Sequence, residues 1–189
     1  MAGSVPRIVM KFGGTSVGDL NRIKNVAQRV KKQKEAGCAV LVVVSAMAGE
    51  TDRLVSYCQE ISPLYDPAEY DSIVATGEQV TSGLVALALQ TMGVPSRSFA
   101  GWQVPIQTDL LHSKANLDTI DGARLLASME KGIVPVVAGF QGVTSDKRVS
   151  TLGRGGSDTS AVALAAAIQA DRCDIYTDVD GIYTTDPRI

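Results

Sequence analysis

The run Ala39-Val40-Leu41-Val42-Val43-Val44-Ser45 offers no polar face. A strand with one side in water alternates apolar and polar residues; one that is apolar and β-branched throughout must be covered on both sides, as in a parallel sheet. Ile133–Ala138 repeats the pattern, and Arg7–Phe12 carries a shorter version in Ile8-Val9-Met10. Helical segments lie between these strands. Asp19 is placed to cap a helix running to about Ala36, with Gly37 just past its end. Thr51–Ile61 reads as a second helix, ended by Ser62-Pro63-Leu64-Tyr65-Asp66-Pro67, and Ala68–Met92 as a long third helix stopped by Gly93. Ser96–Phe99, Val104–Gln107 and Asp174–Thr177 read as short strands, Asp121–Lys131 and Ser157–Gln169 as helices, and Gly142–Thr151 as a hairpin turning around Ser145-Asp146-Lys147. The alternation predicts an α/β fold with a mainly parallel sheet and helices on both faces.

With 189 residues, 45% apolar and 20% charged, the chain is long enough for one domain with a sizeable core. A net charge of −2 argues against a nucleic-acid binder driven by bulk electrostatics. The basic group Arg29, Lys31, Lys32 and Lys34 falls late in the first helix, where it complements the helix dipole. Cys38, Cys58 and Cys173 are odd in number and lack CxxC spacing, which fits free thiols in a reducing cytoplasm. His112 is the only histidine, so a catalytic triad or a multi-histidine metal site is excluded. No segment is expected to reach membrane-spanning length, and no signal peptide opens the chain. Residues 1–6 read as a disordered or vector-derived leader. A cytoplasmic protein that engages neither membrane nor nucleic acid follows from these readings, with self-association left open.

Chemistry concentrates at the ends of the predicted strands. Lys11-Phe12-Gly13-Gly14-Thr15-Ser16 joins a strand, a cation and a glycine pair ahead of a helix, which makes a phosphate cradle. It is not a P-loop, where the lysine follows the glycines. Gly153-Arg154-Gly155-Gly156-Ser157-Asp158 precedes an Ala-rich helix; its glycines free backbone amides for an anion, and Arg154 suits a carboxylate or a phosphate. Asp158 beside phosphates needs a cation, either Lys11 or magnesium. Ser45, Thr51 and Gly139 follow strands whose carboxyl ends converge in an open α/β sheet. Gly77 inside the long helix costs about 1 kcal/mol relative to Ala and marks a close approach, with Glu78 beside it suited to an ammonium. After the last strand, Thr177-Asp178-Val179-Asp180-Gly181-Ile182-Tyr183 and Arg188 read as a nucleotide loop, Tyr183 for a base and Arg188 for phosphate.

These segments, together with Gly139-Phe140-Gln141-Gly142, closely resemble the aspartokinase family of the amino acid kinase superfamily, in the family's order and from Arg7 onward. The resemblance implies a three-layer αβα sandwich of the carbamate kinase-like type. It implies transfer of the ATP γ-phosphoryl group to the β-carboxylate of L-aspartate, with Mg²⁺, giving 4-phospho-L-aspartate, the first step towards lysine, threonine and methionine. By the same resemblance Lys11 and the Gly13 and Gly14 amides stabilise the transferring phosphoryl and Asp158 orients Lys11. Arg154 clamps a substrate carboxylate, with Glu78, Thr51, Gly155, Gly156 and Ser157 completing the amino-acid site. Ser45 lies near the phosphates, and Thr177, Asp178, Tyr183 and Arg188 hold ATP. A carboxylate acceptor is already nucleophilic, so a site without histidine suffices; alignment and charge neutralisation do the chemistry.

The resemblance also implies that residues 7–189 are an incomplete kinase domain, since family members continue through further nucleotide contacts and then ACT regulatory domains. Two readings therefore stand beside each other: a catalytic region, and a fragment that binds aspartate or nucleotide without turnover. Kinases of glutamate, acetylglutamate or UMP are a third, disfavoured by the Gly153–Asp158 block. Segment His112–Asn116 lacks the arginine the family pattern leads one to expect near Asn116, and receives no role.

Overall fold

A computed structural model describes residues 5–153 and 155–177. Five parallel strands form the main sheet in the order β3-β6-β2-β1-β9: β1 (Arg7–Phe12), β2 (Ala39–Val44), β3 (Ser96–Phe99), β6 (Val134–Ala138) and β9 (Arg172–Tyr176). Strand β2 sits at the centre, and Val40 through Val44 are all buried, which is the structural meaning of its missing polar face. Helices α1 (Leu20–Glu35) and α4 (Thr76–Thr91) cover one face, where Ile23, Val26 and Val30 meet Met10, Val42 and Leu89. Helices α5 (Ala123–Glu130) and α6 (Gly156–Ala167) cover the other, where Leu125, Met129 and Leu164 meet Val9, Leu41 and Val43. The result is the expected three-layer αβα arrangement.

Local signals place most boundaries. Asp19 accepts a hydrogen bond from the Arg22 N–H at 2.9 Å and starts α1, and Gly37 beyond its end has φ 87°. Helix α2 (Glu50–Ile61) follows β2, and Asp66 caps α3 (Pro67–Val74) with Pro67 in its first turn. The long helix expected over Ala68–Met92 is two helices, α3 and α4, interrupted at Ala75. At the break the Gln141 side chain donates to the Ala75 carbonyl at 2.8 Å, an interaction no local pattern announces. The stretch Pro67–Thr91 also holds, contrary to the sequence reading, an 18-residue window of mean hydropathy 1.3, long and apolar enough to cross a membrane by length and composition. Half of that window is buried inside the protein, so its apolarity serves the core.

A second sheet, not expected from the sequence, has the order β5-β4-β7-β8: β4 (Ile106–Thr108), β5 (Leu117–Ile120), β7 (Gln141–Val143) and β8 (Val149–Thr151). Strands β7 and β8 are the expected hairpin, with Lys147 at φ 68° in its turn. Strand β5 escapes a sequence reading because Leu117-Asp118-Thr119-Ile120 is short, half exposed and lacks the alternation of a half-buried strand. This sheet stands beside the carboxyl ends of the main strands and braces the cavity there.

Candidate active site

The parallel ladder continues past the strand ends. Gly13 N–H donates to the Tyr176 carbonyl at 3.1 Å, Ser45 N–H to Phe12 at 3.1 Å and Gly139 N–H to Val44 at 3.0 Å. Three turns from distant parts of the chain are thereby held side by side, as an open parallel sheet requires. They border a cavity of about 350 Å³ lined by Lys11, Gly14, Ser45, Thr51, Glu78 and the Gly155–Asp158 segment, among others.

Lys11 is buried within β1, and its Nζ lies 2.6 Å from Asp158 Oδ1 in the first turn of α6. Asp158 is about half exposed, so the pair is wet on one side and dry on the other. Gly155 precedes α6 in the left-handed conformation, φ 77°, and at Gly156 a side chain would stand 2.8 Å from both Leu152 and Phe140. Only glycine lets the loop take this course, which closes on itself: the Gly156 N–H donates to the Gly153 carbonyl at 2.9 Å and the Asp158 N–H to the Gly155 carbonyl at 3.0 Å.

Across the cavity is Glu78, 3% exposed. Gly77 explains its position: a Cβ there would stand 2.8 Å from the Ala46 Cβ, so α4 presses directly on the turn after β2. That approach lets Glu78 Oε1 accept the Ala46 N–H at 3.0 Å, while Oε2 has no partner among the described residues. Burial pushes the carboxyl up to about 7, against the smaller, opposing effect of the Ala46 hydrogen bond. A buried carboxyl with one free oxygen at a cavity wall is a receptor for a cation or a hydrogen-bond donor.

The structure brings together Lys11, Gly14, Ser45, Thr51, Glu78, Gly155, Gly156, Ser157 and Asp158. It does not bring Thr177 there: that residue borders a separate hollow with Phe12, Ser16, Arg22, Asn25, Arg29 and Tyr176. Gly13 differs from its expected role, because its N–H is engaged by Tyr176, whereas Gly14 opens a 3-10 turn whose first amides find no acceptor within the turn. Arg154, Asp178, Tyr183 and Arg188 lie outside the described residues. Sequence reasoning missed Asp52 and Phe140 in the cavity wall. Phe140 holds φ 67°, a strained conformation for an aromatic residue, of the kind that gathers at functional sites. In the sequence it stands only as part of the Gly139–Gly142 block, with no role of its own. Among the described residues no group of three or more acidic, His or Cys side chains is set to enclose a metal ion.

The model of the amino acid kinase family matches residues 6–189. The chain belongs to that family. An aspartate kinase of Pseudomonas putida is 56% identical over 182 residues, covering 96% of this chain and 44% of the relative. The solved structure of aspartate kinase from Synechocystis superposes with a TM-score of 0.81 at 52% identity, covering 96% of this chain and 30% of that one. E. coli aspartokinase III in complex with aspartate and ADP gives a TM-score of 0.84 at 31% identity, covering 96% and 51%. This amino acid kinase chain thus spans less than half the length of the curated relative, over the region that carries the Lys11 and Gly153–Asp158 segments.

Proposed function

We propose that this chain is the catalytic region of an aspartate kinase, which moves the γ-phosphoryl group of ATP to the β-carboxylate of L-aspartate. One observation carries the reading: a cation that suits phosphate, Lys11 with Asp158, and a buried carboxyl that suits an ammonium, Glu78, face the same cavity at the carboxyl ends of parallel strands. An amino acid that accepts a phosphoryl group needs both. The likeness to aspartate kinases, one of them solved with aspartate and ADP, supports aspartate as that amino acid.

In this mechanism Glu78 takes the substrate ammonium on Oε2, and Arg154 takes the α-carboxylate. Thr51 and Ser157 border the remaining space and orient the β-carboxylate for in-line attack. Lys11, held in place by the strand ladder and by Asp158, meets the charge that develops on the transferring oxygens. The Gly14 amide adds a hydrogen bond at the same place. No general base is required, because the acceptor is an anion already. Magnesium is normally held by phosphate oxygens with one or two carboxylates, so Asp158 fits as its protein contact, where it would neutralise phosphate charge. Thr177, Asp178, Tyr183 and Arg188 serve the nucleotide.

Incubation with Mg-ATP, L-aspartate and hydroxylamine tests the reading: aspartyl hydroxamate is the expected product, and its absence with L-glutamate marks the substrate. The span of the chain, 44% of the Pseudomonas relative, favours binding without turnover as a second reading. L-aspartate binding with no hydroxamate would establish that one instead.

A further inference from the structure

Asp71 is fully buried on α3, outside the cavity, yet it is the most heavily bonded acid among the described residues. Its Oδ1 accepts the Thr151 hydroxyl at 2.5 Å, its Oδ2 meets His112 Nδ1 at 2.7 Å, and the Ser113 N–H reaches both oxygens at 3.1 and 3.0 Å. Ser113 adopts φ 65° to make this contact. The partners come from β8 and from the loop before β5, so one carboxylate ties α3 to two segments of the second sheet.

What lies on either side of these contacts gives them meaning. Four residues after Asp71 comes the break at Ala75, held by Gln141 of β7, and then the turn of α4 that carries Glu78. Directly after Thr151 comes Leu152, whose N–H donates to the Phe140 carbonyl at 2.8 Å and whose side chain packs under Gly156. Arg148, on the same hairpin, reaches Glu69 of α3 at 2.6 Å. The β7–β8 hairpin therefore grips the helix pair bearing Glu78 with one side and the glycine loop bearing Asp158 with the other.

We propose that Asp71 is a positioning residue: through Thr151 it fixes the distance between the Glu78 carboxylate and the Gly153–Asp158 loop, and so the length of amino acid the cavity accepts. The substrate part of this inference rests on the aspartate reading above; the positioning part does not. Asp71 touches no cavity space, and a carboxylate bonded this fully is not free to bind a ligand. Its bonds hold the two walls in register, and the spacing of ammonium and carboxylate receptors is what separates amino acids differing by one methylene.

The test uses the 189-residue chain and two mild variants, Thr151→Val, which removes one hydroxyl at constant shape, and His112→Gln, which removes one ring contact at the protein surface. The Glu78 carboxyl is titrated by ¹³C NMR, and L-aspartate and succinate (the same diacid without the ammonium) are compared by calorimetry. In each folded variant the Glu78 midpoint is expected to fall by at least about half a pH unit as the wall loosens and water enters. The preference for L-aspartate over succinate is expected to drop about tenfold, and Thr151→Ser is expected to restore both. An unchanged Glu78 midpoint in either folded variant overturns the proposal. If the unaltered chain binds neither ligand while the midpoint still moves, the aspartate reading fails and the positioning role stands.

Discussion

Replacing Glu78 by glutamine should stabilise the unliganded protein, and by an amount that depends on pH. Glu78 is buried, one of its oxygens has no partner among the described residues, and its carboxyl is held near 7 rather than at 4.5. The folded state therefore prefers the neutral acid. That preference is whole below about pH 4.5 and is lost as the pH rises through about 7, where the native protein must carry an ill-solvated charge. A displacement of this size corresponds to about 3 kcal/mol at pH 8, and to about 1 kcal/mol at pH 5, where the unfolded side chain has only begun to ionise. The amide introduced by Glu78→Gln would keep an acceptor for the Ala46 N–H and never ionise, so the stability gap between the two proteins should widen by about 2 kcal/mol between pH 5 and pH 8. With a urea dependence of about 2 kcal/mol per molar, the midpoint of Glu78→Gln should move up by roughly 1 M more at pH 8 than at pH 5. Urea unfolding followed by tryptophan fluorescence and circular dichroism measures this directly. Equal midpoint differences at the two pH values would mean that Glu78 titrates as an ordinary surface acid, and the argument for an ammonium receptor would lose its physical basis.

Binding of L-aspartate near pH 6.5 should release a proton, because an ammonium at Oε2 favours the ionised carboxyl; calorimetry in buffers of different ionisation enthalpy reads this, and at about pH 9 the release should vanish. Lys11→Ala should abolish hydroxamate formation while changing L-aspartate affinity less than about threefold, whereas Arg154→Ala should weaken that affinity first; equal losses of binding in both would contradict the division of roles. Gly77→Ala sets two effects against each other. Helix propensity favours Ala by about 1 kcal/mol, but the new Cβ would meet the Ala46 Cβ at 2.8 Å. Overpacking at such a contact costs about 1–3 kcal/mol, so thermal unfolding should show net destabilisation, and NMR should show the Ala46 amide displaced.

Much of this architecture is legible in the chain because it is encoded locally. The all-apolar β2, the Asp19 cap and the Lys11 and Gly153 turns each carry their own signal, and the rule that parallel strands gather their carboxyl ends brings the turns together. Features that depend on distant partners stay hidden. Ala75 gives no sign of a helix break, and the side chain bonded to its carbonyl there, Gln141, lies 66 residues away. Leu117–Ile120 becomes a strand only because Ile106 and Thr108 offer an edge. Gly77 announces a close approach beside Glu78, but that the partner is Ala46, on the turn after β2, shows only in the fold. His112 and Asp71, unremarkable in sequence, meet across 41 residues.

Lys11 stands on an interior strand of a five-stranded sheet, with β2 hydrogen-bonded on one side and β9 on the other. Its backbone can move only if the core moves. Glu78, by contrast, hangs on a helix turn that begins at a break and is braced by side chains. The cavity thus has an immovable end and an adjustable end. Descendants of such a scaffold can acquire longer, shorter or differently charged acceptors by altering the braces around the helix turn, while the phosphate end passes unchanged from one to the next.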